Sequence, residues 1–364
     1  MNMSTGLTSP HRLRVLSYGA GAIGTYIGGS LALHGHSVVF LERPQVAAEL
    51  RRRGLRLSLP SGAHAIESPQ IAGSLDEALG VGPFDVALFA LKSFDTQTAL
   101  EGLRPQADRI PPVLCLQNGV ENEPYIAGLL GQEKVISGTV TSAIGRVAPG
   151  EIILERLRGV GVAAGHPLSA ALVQALDGAG LNAHLFPRAS DMKWSKLLTN
   201  LLANATSAIL DMTPAQVFAH PGLYRLEIAQ LREALQVMRA QGIGVIDLPR
   251  TPVRLLAFAV RWLPLALSRP LVARAVGSGR GAKMPSLHID LHAGRGQSEV
   301  DYLNGAVARF GARLGLPTPA NRTLNETLLA IARGELSQEQ FSHKPEALLE
   351  RFRRAQQFRP AAPH

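Results

Sequence analysis

The chain has 364 residues, 46% of them hydrophobic, with 37 lysines and arginines against 28 aspartates and glutamates for a net charge of +9. That length exceeds one ordinary hydrophobic core and predicts two domains, while the single cysteine, Cys115, excludes an intrachain disulfide. The basic excess fits an anionic small molecule or a phosphorylated cofactor, and its scattered arginines lack the aromatic interleaving of a nucleic-acid surface, so no nucleic-acid partner is expected.

Residues 1–11 lack the basic start and apolar run of a secretory leader, and together with the lone cysteine they predict a cytoplasmic location. Residues 13–18 read as a short apolar strand. Gly19, Gly21 and Gly24 follow in G-x-G-x-x-G spacing, with a small-residue helix over 22–34 and a second strand over 37–42. Such glycines allow a tight turn, close approach of backbone to a pyrophosphate, and helix packed hard on sheet. The helix N-terminus adds free N–H groups and the positive end of a dipole. The motif alone is weak, because glycine-rich turns are common. Its place between a strand and a helix favours a dinucleotide site over a purely structural turn.

From residue 13 to about residue 187, strand and helix patterns alternate, which predicts a mostly parallel sheet. Apolar runs at 85–91, 113–117, 135–144 and 159–164 are the later strands. Lys92 and Asn118 stand just past two of them, where open α/β sheets bind ligands. Beyond 187 the strand-like runs stop, and helical patterns cover 191–210, 221–241, 298–314 and 321–333. We therefore expect an α/β N-terminal Rossmann-type dinucleotide-binding domain over 1–187 and an all-α C-terminal domain over 188–364, with a frayed tail from Arg354.

On the helix expected over 191–210, Lys196, Asn200 and Asn204 stand four residues apart and form one slowly drifting stripe among leucines and alanines. Burying an amide or ammonium unpaired costs about 1–3 kcal/mol or more, so the stripe needs partners. A lone asparagine would bond a neighbouring helix, and a lone lysine would snorkel to water. The aligned trio favours a ligand-facing stripe. Farther on, Ser286, Asp290, Arg295, Glu299 and Asp301 form a polar stretch leading into a helix, and on local grounds Glu299 is simply its dipole-favoured first carboxylate. No metal site is expected.

These motifs together resemble the ketopantoate reductases, the NADPH-dependent 2-dehydropantoate 2-reductase family. The resemblance runs through GAGAIG, ALKSFDT, QNGVENE, WSKLLTNLLANATSA and AGRGQSEVDYLNG, in the family's order. It implies an NADPH-binding turn at Gly19, Gly21, Ala22, Ile23 and Gly24, with Arg43 meeting the 2′-phosphate. It further implies that Lys92 and Asn118 lie near cofactor and substrate, that Asn200, Asn204 and Ser286 bind a small keto acid, and that Lys196 is the general acid with Glu299 beside it. A homodimer is left open. The sequence departs from the family pattern where a serine-rich S-M-L-Q-D run becomes Ser286-Leu287-His288-Ile289-Asp290, and where Glu42 precedes Arg43. A related reductase of a larger keto compound and a non-catalytic nucleotide-sensing module are the alternatives. The apolar insertion 246–283 is broken by arginines and by Pro264 and Pro270, too often for a span of about 20 residues. A packed helical pair, a substrate lid and a membrane-surface patch are its readings, in that order, and membrane contact is not expected.

Overall fold

The computed structural model describes residues 12–270, 283–294 and 296–357. The chain divides into two compact units, Met1–Gln117 with Asn122–Ala189, and Asn118–Glu121 with Ser190–His364. The second unit thus takes in a four-residue segment that a single boundary at 187 does not anticipate.

The first unit is built on strands β1 (Arg14–Tyr18), β2 (Ser37–Leu41), β3 (Leu55–Leu59), β4 (Gly62–Ile66), β5 (Gln70–Ala72), β6 (Val86–Phe89), β7 (Val113–Cys115), β8 (Val135–Val140), β9 (Ala143–Ala148), β10 (Glu151–Arg156), β11 (Val160–Ala163) and β12 (Ala183–Phe186). Its helices are α1 (Ala22–Leu33), α2 (Pro44–Arg53), α3 (Leu75–Gly80), α4 (Thr96–Leu103), α5 (Asn122–Leu130) and α6 (Ser169–Gly178). Eight strands form the main sheet in the order β12-β11-β8-β7-β6-β1-β2-β5. Every pair in it is parallel except β8 with β11. The order reverses between β1 and β6, which makes their carboxyl ends the ligand-binding switch point of this kind of sheet.

A second sheet, ordered β4-β3-β10-β9, was not expected from the sequence. The run expected over 135–144 is in fact β8 and the start of β9, and β9 and β10 are too polar and too exposed to stand out as apolar runs. This sheet explains α1, which is buried continuously from Gly24 to Leu31 and has no polar face. A Cβ on Gly28 would meet the Phe40 ring of the main sheet at 2.7 Å, and one on Gly29 would meet Leu57 of the second sheet at 2.8 Å. The helix is layered between the two sheets, and side chains at these two positions would force them apart.

In the second unit the described elements are helical: α7 (Ala189–Leu201), α8 (Asn204–Leu210), α9 (Pro214–Ala219), α10 (Pro221–Ala240), α11 (Val253–Trp262), α12 (Ser286–His292), α13 (Val300–Arg313), α14 (Pro319–Ala332) and α15 (Pro345–Gln357), together with an isolated bridge between Leu248 and Thr251. The tail expected to fray from Arg354 continues instead as helix to Gln357. Residues 265–270 are also helical, whereas 271–282 of the insertion and Arg295 lie outside the described residues. The described part of the insertion is tied to its surroundings. Tyr224 Oη donates to Ser268 at 2.6 Å, Arg232 Nε to the Val260 carbonyl at 2.9 Å, and Arg269 Nε to the Phe218 carbonyl at 3.0 Å. Val253, Ala257 and Val260 face inward, while Leu255, Phe258 and Trp262 are exposed. Among the described residues no helix is long and apolar enough to cross a membrane.

The core of the helical unit carries a line of buried polar groups on α10. Glu227, Gln230 and Glu233 recur every three residues and are all buried. Glu233 accepts from the backbone N–H groups of Ala320 and Asn321 at 2.8 and 2.9 Å, at the start of α14. Burial outweighs these bonds and pushes its pKa from 4.5 up to about 7. The folded chain therefore holds a proton that the unfolded chain releases between pH 4.5 and 7, so this stability is full below pH 4.5 and is lost as pH rises through 7. The effect is about 3 kcal/mol at about 1.4 kcal/mol per pKa unit. Urea unfolding midpoints of the wild type should fall between pH 5 and 8 relative to Glu233→Gln, and parallel profiles would remove Glu233 as the cause.

Candidate active site

The turn after β1 combines one strained position with one contact that only glycine permits. Gly19 has φ +92°, and its N–H donates to the Leu41 carbonyl at 3.0 Å, closing the turn onto the end of β2. A Cβ on Gly24 would lie 2.0 Å from the Gly19 carbonyl oxygen, whereas one on Gly21 would meet nothing within 4 Å. Gly24 is thus required by the turn itself, and Gly21 leaves open space beside it. Ala22, Ile23 and Gly24 form the first turn of α1, whose leading N–H groups have no acceptor within the helix. A diphosphate fits that arrangement of open space, N–H donors and dipole.

Glu42 and Arg43 sit at the rim of this turn. The Glu42 carboxylate accepts from Ala20 N at 2.7 Å and from Arg43 N at 3.2 Å. Arg43 is the residue before α2, in extended conformation (φ −61°, ψ 146°), with Pro44 starting the helix and its own side chain exposed. The carboxylate is folded back onto the turn, and the guanidinium is presented outward.

At the switch point, Leu91 Cδ2 would lie 3.3 Å from a Cβ on Gly19, which brings the ends of β1 and β6 side by side. Lys92 follows, half-buried, before a short 3-10 turn. A polar cluster that the sequence reading missed fixes this end of the sheet. Gln117 Nε2 donates to the Leu91 carbonyl at 3.1 Å and to Thr96 Oγ1 at 2.8 Å, Thr96 donates to Asn122 Oδ1 at 3.2 Å, and Asn122 Nδ2 donates to Ser93 at 3.3 Å. All four side chains are buried. The QNGVEN run contains the signal for it, since Gln117 and Asn122 bracket the turn that carries Asn118.

In the helical unit the helix expected over 191–210 is broken. Ala203 adopts φ 48°, and α7 gives way to α8. The break is held by Glu227, fully buried, which accepts from Ala203 N at 2.7 Å, Thr206 Oγ1 at 2.5 Å and Gln230 Nε2 at 2.7 Å. Lys196 and Asn200 therefore share α7, while Asn204 starts a different helix. Asn204 is still linked to its predecessor, because its Nδ2 donates to the Asn200 carbonyl at 2.9 Å. Its Oδ1 accepts from Leu287 N at 3.1 Å, which fixes the residue after the exposed Ser286. Asn200 Nδ2 donates to Asn118 Oδ1 at 3.0 Å.

The segment Asn118–Glu121 is anchored by a second contact. Arg309 on α13 pairs with both carboxylate oxygens of Glu121, at 3.3 and 2.5 Å, and with Asp301 at 2.8 Å. Burial works against the Arg309 charge, yet the two carboxylates more than compensate and its pKa is raised. Lys196 is half-buried on α7. Glu299 is 2% exposed and stands just before α13, but its side chain makes no capping hydrogen bond, so capping does not explain it.

A glycine turn at the switch point of a mostly parallel sheet is the dinucleotide-binding arrangement of such folds. Residues 15–164 match the family described as ketopantoate reductase PanE/ApbA, and residues 188–332 match its C-terminal domain. The chain belongs to that family. It is 29% identical over 322 residues to the 2-dehydropantoate 2-reductase of Halobacterium salinarum, which covers 86% of this chain and 96% of that protein. The crystal structure of a PanE/ApbA family ketopantoate reductase from Ralstonia eutropha JMP134 is similar with a TM-score of 0.74 and 28% identity, covering 90% of this chain and all of that one. D-mandelate dehydrogenase with NADH and anilino(oxo)acetate shares the fold, with a TM-score of 0.71 and 21% identity over 88% of this chain and 99% of that one.

Proposed function

We propose that this protein reduces 2-dehydropantoate (ketopantoate) to pantoate with NADPH. The bound cofactor supplies a hydride to the 2-keto carbon. Lys196 holds its ammonium at the keto oxygen, stabilises the negative charge that develops there, and gives that oxygen a proton. Asn118, fixed by Asn200, and Lys92 place cofactor and substrate. Ser286 bonds the substrate's polar groups, and Asn204 acts largely by holding the start of the Ser286 helix. Glu299, a buried carboxylate without a capping task, orients the lysine.

The observation that carries this reading is the Asn200 to Asn118 bond, which joins two motifs 82 residues apart into one polar cluster on the helix that bears Lys196. Steady-state turnover with ketopantoate and with bulkier 2-keto acids tests it. Good turnover of a bulkier acid with none of ketopantoate would replace the substrate and keep the chemistry.

NADPH is the cofactor favoured by Arg43, whose exposed guanidinium can meet a 2′-phosphate. Arg43→Ala should raise the Michaelis constant for NADPH by ~10–100-fold, the worth of a charge-assisted hydrogen bond, and leave that for NADH nearly unchanged. A second reading, NADH, rests on the Glu42 carboxylate at the turn. A wild-type preference for NADH would move the choice to Glu42, the usual acidic partner of the ribose hydroxyls.

A further inference from the structure

A side-chain cluster apart from these groups joins the end of α8 to α12. Asp211 follows α8 in the left-handed region, with φ 50°, which aspartate tolerates better than most residues. Its Oδ1 lies 2.7 Å from Nε2 of His288. His292, one turn further along α12, stacks against His288 with ring centroids 4.1 Å apart. The Nδ1 of His292 lies 2.9 Å from the His288 carbonyl oxygen. A carbonyl oxygen only accepts, so that Nδ1 carries a proton, and in the neutral ring Nε2 is the nitrogen left to ligate. One ligand atom from each of the three residues falls within 4.8 Å of the others.

We propose that Asp211, His288 and His292 form a binding site for a divalent transition metal of the zinc type. Two imidazole nitrogens and one carboxylate oxygen suit Zn²⁺, Co²⁺ or Ni²⁺, whereas Ca²⁺ and Mg²⁺ require more oxygen ligands. The i, i+4 spacing sets both rings on one face of α12. The hydrogen bond from His292 Nδ1 to a backbone carbonyl is the outer-shell contact that fixes the tautomer of a ligating histidine. Bonds of about 2.0–2.1 Å to a tetrahedral ion separate its ligand atoms by about 3.3 Å, so the Asp211 and His288 atoms need open only slightly. The ion takes the place of the proton that His288 Nε2 now donates to Asp211, and that proton moves to Nδ1 or to solvent. Water fills the fourth position.

The placement gives the ion a task. The start of α12, with Ser286, is already pinned to α8 through Asn204, and the ion would pin the other end of the same helix. No metal was expected from the sequence, in which Asp211 and His288 are 77 residues apart.

The test is calorimetric titration of the untagged full chain, stripped with chelator, using ZnCl₂, and with CoCl₂ as a spectroscopic probe of coordination number. One zinc per chain, a raised Tm, and no heat with MgCl₂ are expected. His292→Ala, which alters an exposed ring, should weaken zinc binding by more than ~10-fold, since losing an outer-shell partner alone costs that much, and should abolish the rise in Tm. Absence of zinc binding by the wild type, or equal binding by the variant, would overturn the proposal. These readouts need neither substrate nor nucleotide, so their failure is separate from failure of the reductase reading.

Discussion

Lys196→Ala is expected to lower kcat by ~10²–10⁴, the usual contribution of a positioned general acid. In the proposed reaction the keto oxygen must gain a proton as hydride reaches the carbon, and an ammonium held against that oxygen would supply it better than solvent. NADPH affinity should stay within about two-fold, because Lys196 lies on α7 of the helical unit and the glycine turn lies on the other. The split between kcat and cofactor binding is therefore the measurement that matters. A variant with near-normal turnover would make Lys196 a snorkelling residue and remove the proposed acid from the reaction.

Gly24→Ala is expected to damage both stability and cofactor binding, and Gly21→Ala cofactor binding alone. The new methyl at 24 would stand 2.0 Å from one backbone atom of Gly19 and 3.0 Å from another. Neither atom can swing away as a side chain would. Overpacking costs about 1–3 kcal/mol where side chains can yield, so the cost here should reach about 3 kcal/mol or more. At 21 the methyl meets no protein atom, so the urea midpoint should stay close to wild type while NADPH affinity, read by fluorescence titration, falls at least ~10-fold through crowding of the diphosphate. Equal stability of the two variants would show that the turn can relax, and unchanged affinity of Gly21→Ala would place the diphosphate elsewhere.

Much of this arrangement was readable from local sequence. The turn at Gly19–Gly24, the strand ends before Lys92 and Asn118, and the change to helix after 187 all follow from periodicity, glycine spacing and length. What stayed hidden depends on partners distant in sequence. The α7–α8 break contains neither glycine nor proline, and the carboxylate that holds it, Glu227, is 24 residues from Ala203. The polar line on α10 reads as ordinary surface in LEIAQLRE until α14 is seen to start against it. Arg309 and Glu121 are 188 residues apart. The second sheet escaped notice because β9 and β10 are broken by polar residues and exposed, although the lack of a polar face on α1 already implied that something covers that helix on both sides.

The segment Asn118–Glu121 has a consequence for recombining such proteins. Because it belongs with the helical unit, the backbone passes between the units three times, and no single junction separates them. A chimera joined only at 189 would keep Asn118 and Glu121 from one parent and take Asn200 and Arg309 from the other. It would mismatch both anchors of the turn at once. A graft meant to carry substrate choice from one family member to another must therefore exchange two pieces, residues 118–121 together with everything from 190 onward.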